Sequence, residues 1–102
     1  MKKFCVSYLP IFDADMAEAW RYIAFKLQNP VAANKLVADT EKAILKRLKA
    51  PNSFEQYISK KEHDLPYYRI QVRNFTVWYV VYDDVMEVRR FLYSKRNSEE
   101  LL

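Results

Sequence analysis

The chain has 102 residues, a single domain's length and enough to bury a core with a thin stability margin. Hydrophobic content of 51% and aromatic content of 16% exclude disorder. The net charge of +4 permits an acidic partner, nucleic acid or acidic peptide, without demanding one, and the absence of glycine excludes glycine-rich phosphate loops. Tight turns must therefore use Pro, Asn or Asp.

The longest apolar run, Val77 to Tyr82, is far too short to span a bilayer, and Met1-Lys2-Lys3-Phe4 runs into a strand without a signal-like block. These features predict a soluble, cytoplasmic protein with no membrane partner. Cys5 is the lone cysteine and is expected to be a small core residue in an apolar strand. His63 is the lone histidine, so a Cys5/His63 catalytic pair is a poor reading.

Lys3 to Leu9 alternates loosely and predicts a first strand, ended by Pro10. Asp13 or Asp15 is placed to cap a helix, and Asp15 with Glu18 has capping-box spacing. These acids also suit the positive end of a helix dipole. Met16, Trp20, Ile23, Ala24 and Leu27 recur at helical spacing and predict one apolar face, with Trp20 in the core. Asn29-Pro30 marks a stop and a restart. A second helix of about Val31 to Lys49 follows, burying Ala33, Leu36, Val37, Thr40, Ile44 and Leu48. So short a connection makes the two helices an antiparallel hairpin.

Ala50-Pro51-Asn52-Ser53 closes the second helix, and Phe54 to Leu65 reads as a polar surface loop with room for a helical turn. Its Glu62-His63-Asp64 cluster is poor metal-ligand geometry, and no metal or cofactor is expected. Tyr68, Ile70 and Val72 alternate with Arg69, Gln71 and Arg73, which predicts a half-buried strand with Arg69 and Arg73 on one face. Phe75 to Tyr82 is apolar on both parities and should be a central strand covered on both faces. Trp78 and Tyr82 share a parity, facing either the helices or a partner. Val85 to Tyr93 is the last strand, after an Asp83-Asp84 turn. The predicted fold is α+β with order β-α-α-β-β-β. One domain over residues 1–102 packs the helical hairpin on a mainly antiparallel four-stranded sheet, with a short helical tail.

Three segments carry a resemblance. Asn29-Pro30 with Ala32-Ala33 and the following helix is one. Tyr68-Arg69-Ile70-Gln71-Val72-Arg73-Asn74-Phe75-Thr76-Val77-Trp78-Tyr79 is another. Arg90-Phe91-Leu92-Tyr93-Ser94-Lys95-Arg96-Asn97, closing in Leu101-Leu102, is the third. Together they resemble the RelE/ParE superfamily of type II toxins across essentially the whole chain. The resemblance implies a bacterial growth inhibitor of the plasmid-stabilisation kind. Its partner would be a cognate antitoxin protein, held in a hetero-oligomer.

Two mechanisms live on this fold. RelE-like members cut mRNA in the ribosomal A site, without metal, and ParE-like members poison DNA gyrase. A ribonuclease needs cations for the scissile phosphate and an acid or base for proton transfer. Carried across, the cation of the first hairpin strand falls on Arg69, and the second falls on Gln71. The arginine of the next strand falls on Thr76. The C-terminal site falls on Ser94-Lys95-Arg96, which keeps cations and lacks a histidine. The ParE-like side is favoured. A ribonuclease reading would rest on Arg69, Arg73, Tyr93, Lys95 and Arg96. An inactive or regulatory member is a third reading. Target or antitoxin contacts are expected from Arg69, Arg73, Trp78, Tyr82, Arg89, Arg90, Lys95 and Arg96.

Overall fold

The computed structural model describes residues 3–58, 61, 64–96 and 98–102. Strand β1 (Cys5–Tyr8) leads into helix α1 (Pro10–Arg21), and helix α2 spans Pro30–Arg47. Strands β2 (Tyr68–Val72), β3 (Phe75–Tyr82) and β4 (Val85–Tyr93) follow, and one 3-10 turn covers Ser98–Glu100. This is the predicted α+β order.

Pro10 begins α1 rather than merely ending β1, because proline's missing N–H costs nothing in a first helical turn. Asp13 and Asp15 therefore lie inside the helix and cap nothing, against expectation. The chain leaves α1 through a π-helical turn, Tyr22–Lys26, in which the Leu27 N–H donates to the Tyr22 carbonyl at 3.0 Å. That wider turn rotates the apolar stripe, so Leu27, predicted to be buried, is 55% exposed. Asn29 accepts from the Ala32 N–H at 3.1 Å and Pro30 opens α2, as its sequence requires.

The sheet order is β1-β4-β3-β2, with β1 parallel to β4 and the other pairs antiparallel. Cys5 lies on the short edge strand β1 and is exposed, which corrects its expected place in the core. Arg73-Asn74 and Asp83-Asp84 join the hairpins, and without glycine Arg73 and Asp83 take φ values of 55° and 50°. The left-handed region costs about 1–2 kcal/mol for an ordinary residue. It also breaks strand alternation at Arg73. The side chain swings across to Asp39 on α2, so Arg69 and Arg73 do not share a face.

Each face of the sheet carries a core. Phe12, Leu36, Ile44, Val77, Tyr79 and Phe91 are among the residues buried beneath the helices. On the other face Trp78, Val80, Leu92 and Tyr67 are covered by Tyr57, Leu65, Leu101 and Leu102. The loop after α2 reaches that face through a single bridge, Tyr57 to Tyr67, and forms no helical turn among the described residues. Glu62 and His63 of the cluster noted in the sequence, and Asn97 of the closing motif, lie outside the described residues.

Tyr79 ties the layers together. It is fully buried, its hydroxyl donates to the Pro51 carbonyl at 2.7 Å, and it accepts from Arg47 Nη1 at 2.9 Å. Burial pushes this phenol above its ordinary 10.0, with the Arg47 hydrogen bond and charge pulling the other way. The folded chain thus keeps a proton that the unfolded chain releases. That contribution is full below about pH 10 and is lost as the pH rises through the folded value. The urea midpoint of the wild type is expected to fall more steeply above about pH 10 than that of Tyr79→Phe. Parallel curves would assign the alkaline loss to other tyrosines.

Candidate functional site

The cations singled out in the sequence do not converge. Arg90 donates through Nε to Asp15 Oδ2 at 2.7 Å and through Nη2 to Oδ1 at 3.0 Å. Arg89 Nε meets Glu87 Oε2 at 2.7 Å, and Arg73 Nη2 meets Asp39 Oδ2 at 2.8 Å. Each of these arginines is neutralised by the chain's own carboxylate. Arg69 is exposed with its guanidinium 5.0 Å from the Tyr57 ring centre. Lys95 and Arg96 lie exposed on the turn after β4 and make no ion pair among the described residues.

The Arg90–Asp15 pair has a backbone cause. β1 ends at Tyr8 opposite Val88, and the Leu9 N–H then closes on the Val88 carbonyl at 2.9 Å. Beyond that point the outer edge of β4 has no strand partner. A register shift between Trp78 and Tyr79 also inserts one extra residue into β4, since Trp78 faces Arg90 while Tyr79 faces Val88. Asp15 reaches in from α1, accepts the Phe91 N–H at 3.0 Å and holds Arg90 at the same time. Arg90 Nη1 also donates to the Leu101 carbonyl at 3.1 Å, so the pair tethers the tail. The Asp15 hydrogen bond pushes the Arg90 guanidinium further up from its ordinary value, against the opposing effect of burial.

The three positions that depart from the ribonuclease pattern come together. Gln71 Nε2 donates to Ser94 Oγ at 2.6 Å, Thr76 Oγ1 donates to Gln71 Oε1 at 3.2 Å, and Thr76 Oγ1 lies 2.9 Å from Ser94 Oγ. Thr76 is buried and Gln71 is fixed further by a 2.7 Å bond to the Arg73 carbonyl. The cluster is neutral, has no group that titrates near neutral pH, and its side chains bond to one another and to the Arg73 carbonyl. Such a centre can position backbone but has no charge for a phosphate or an oxyanion.

Beside it, Tyr93 is exposed and edge-on to Phe75, with ring centres 5.7 Å apart. Both line a cleft of about 520 Å³ with Tyr22, Glu18, Leu27 and Arg96. Tyr82 is exposed and donates to Glu87 Oε1 at 3.3 Å, whereas Trp78 is buried under the tail and the Tyr57 loop. Trp78 therefore lies neither beneath the helices nor on an open face. Trp20 is not core either. It is half-buried on the outer face of the hairpin, with Nε1 donating to Asn34 Oδ1 at 2.9 Å and the exposed Phe25 ring edge-on at 5.5 Å. Two adjoining hollows form an apolar furrow between α1 and α2 on this face, lined by Tyr8, Met16, Phe25, Val37 and Leu45 and edged by Asp13, Glu41 and, beside Trp20, Arg21. No sequence signal separated this outer stripe from the buried one, since both recur at helical spacing.

The family model for the ParE toxin of the type II toxin-antitoxin system parDE matches residues 6–98. Nine chains of solved structures match as well. One of them, from the chromosomal ParDE toxin-antitoxin system of P. aeruginosa, superposes with a TM-score of 0.73 at 14% identity, covering 90% of this chain and 97% of that one. At that identity the likeness is one of fold. No curated protein matches. With its family's model spanning nearly all of the sequence and a β-α-α-β-β-β fold to match, the chain belongs to the ParE toxins of type II toxin-antitoxin systems.

Proposed function

We propose that this toxin acts in the cytoplasm by binding DNA gyrase and is kept silent by a cognate antitoxin in a hetero-oligomer. The observation that supports binding over cleavage is the Gln71–Thr76–Ser94 cluster. Where ribosome-dependent nucleases of the superfamily need charge, this chain has three neutral groups bonded to one another. Arg73, next in the nuclease reading, is committed to Asp39, and Arg69 stands on Tyr57. Tyr93, Lys95 and Arg96 remain exposed and serve as contacts to the target.

The apolar furrow on the hairpin is the antitoxin's face. Phe25 is 67% exposed and Leu45 is 57% exposed, an expensive surface for a protein that stays alone. An amphipathic segment with basic flanks would bury it and meet Asp13 and Glu41.

A supercoiling assay tests the reading. The purified chain is expected to inhibit gyrase and leave gyrase-linked DNA breaks, and the protein encoded beside it should restore supercoiling. Unimpaired supercoiling, with mRNA ends appearing at A-site codons of translating ribosomes, would assign the toxin to the nucleases instead. Unaffected growth on induction without antitoxin would make it a regulatory member.

A further inference from the structure

Arg47, in the last turn of α2, is a cation with no acidic partner among the described residues. Its Nη1 donates to Tyr79 Oη at 2.9 Å and to the Arg69 carbonyl at 3.3 Å. Its guanidinium lies 3.6 Å from the Phe54 ring centre and 5.8 Å from that of Tyr79. No carboxylate of the described residues reaches ion-pair distance, and Nε and Nη2 have no acceptor among them. The group is half-buried, lies over the Phe54 ring, and keeps the fork that matches a carboxylate.

The backbone beside it is open in part. β2 is an edge strand. The Tyr67 carbonyl accepts from the Tyr57 N–H at 2.7 Å on the side away from β3, and the Arg69 carbonyl turns to Arg47 on that same side. Backbone groups alternate along an antiparallel ladder, so Gln71 also faces outward. The Tyr57 segment covers the first of these positions and Arg47 holds the second, which leaves the outward groups of Gln71 without a backbone partner among the described residues. Arg69 adds an exposed cation that has no carboxylate among the described residues.

We propose that this edge is a receptor for an acidic, extended segment of a partner polypeptide. One carboxylate docks on the Nε and Nη2 donors of Arg47, and the segment's backbone pairs with the outward N–H and C=O of Gln71, beyond the Arg69 carbonyl that Arg47 already holds. The alternation of donors and acceptors along the edge suits a peptide. A DNA backbone offers no donor for an outward carbonyl, and an RNA backbone offers only 2′-hydroxyls, which do not alternate with acceptors at a strand's spacing. The proposal rests on the antitoxin reading only in taking the partner to be a polypeptide, and it is indifferent to the toxin's target.

The test uses the full chain and two capped hexapeptides, one alternating valine with glutamate and one alternating valine with glutamine. With the acidic peptide, amide shift changes should concentrate at Arg69 and Gln71 and at the Arg47 side chain. The glutamine peptide should bind about tenfold more weakly, the worth of a charge-assisted hydrogen bond. Arg47→Gln should erase the difference between the peptides, and Arg47→Lys should restore part of it. Because Arg47 also supports Tyr79, the peptide exchange on wild-type protein carries the test even if a variant unfolds. Equal binding of both peptides, shifts elsewhere, or a single-stranded oligonucleotide outcompeting the acidic peptide at this edge would overturn the proposal. Failure here leaves gyrase inhibition untouched, and failure of gyrase inhibition leaves these shifts untouched.

Discussion

Replacing Arg90 with methionine is expected to lower the unfolding free energy by about 3 kcal/mol or more. The side chains of Arg90 and Asp15 are only 15% and 11% exposed. Removing the arginine strands a carboxylate that water cannot reach freely, which is costlier than the pair itself is stabilising. The loss is compounded because Asp15 also holds the Phe91 N–H and Arg90 also holds the Leu101 carbonyl. Against a total stability of about 5–15 kcal/mol, such a loss shows plainly in the urea midpoint. Arg73→Met is the control, since Arg73 and Asp39 are 46% and 39% exposed and solvent screens their attraction. A double replacement, Arg90→Met with Asp15→Leu, should recover part of the loss, because it removes the stranded charge along with its partner. If Arg90→Met costs no more than Arg73→Met, the buried pair has no special weight in the fold.

What the sequence disclosed and what it concealed divide along a physical line. The β3 and β4 spans, Phe75–Tyr82 and Val85–Tyr93, were legible because polar two-residue turns, Arg73-Asn74 and Asp83-Asp84, interrupt the apolar runs. Asn29-Pro30 was legible because capping chemistry is local. The destination of Asp15 was not. It depends on β1 running out opposite Val88 and on an extra residue in β4, which are facts of register between distant segments. The π-helical turn was hidden because one added residue leaves the apolar spacing nearly helical. Arg47 was hidden for the opposite reason. In the sequence it is one more cation at a basic helix end, and only Tyr79 and Phe54, brought from distant positions, distinguish it from Lys46. The departures at Gln71, Thr76 and Ser94 could be named one at a time, but that they bond to each other required the hairpin to be built.

Trp78 and Tyr82 lie on the same face of β3, and a substitution at each should give opposite results. Trp78 is 4% exposed, with Tyr57 edge-on at 4.8 Å and Tyr67 edge-on at 6.1 Å, and Leu92, Leu101 and Leu102 complete its surroundings. Trp78→Ala should cost about 3–5 kcal/mol, because a small satellite core cannot collapse around so large a void. It should also speed hydrogen exchange at the Leu101 and Leu102 amides, whose bonds to the Ser98 carbonyl depend on the tail staying seated. Trp78→Phe should be much milder. The Trp78 Nε1 is buried without a partner among the described residues, so removing it relieves a desolvated donor while most of the ring remains. Tyr82→Ala should leave the urea midpoint much closer to the wild type, since Tyr82 is exposed and its hydroxyl bonds to Glu87 at the surface. A loss below about 1 kcal/mol for Trp78→Ala would mean that the tail and the Tyr57 loop do not form a core over this face. With the larger loss, any effect of Trp78 on target or antitoxin binding acts through the seat of the tail, and Tyr82 is left as the aromatic on this face able to touch a partner directly.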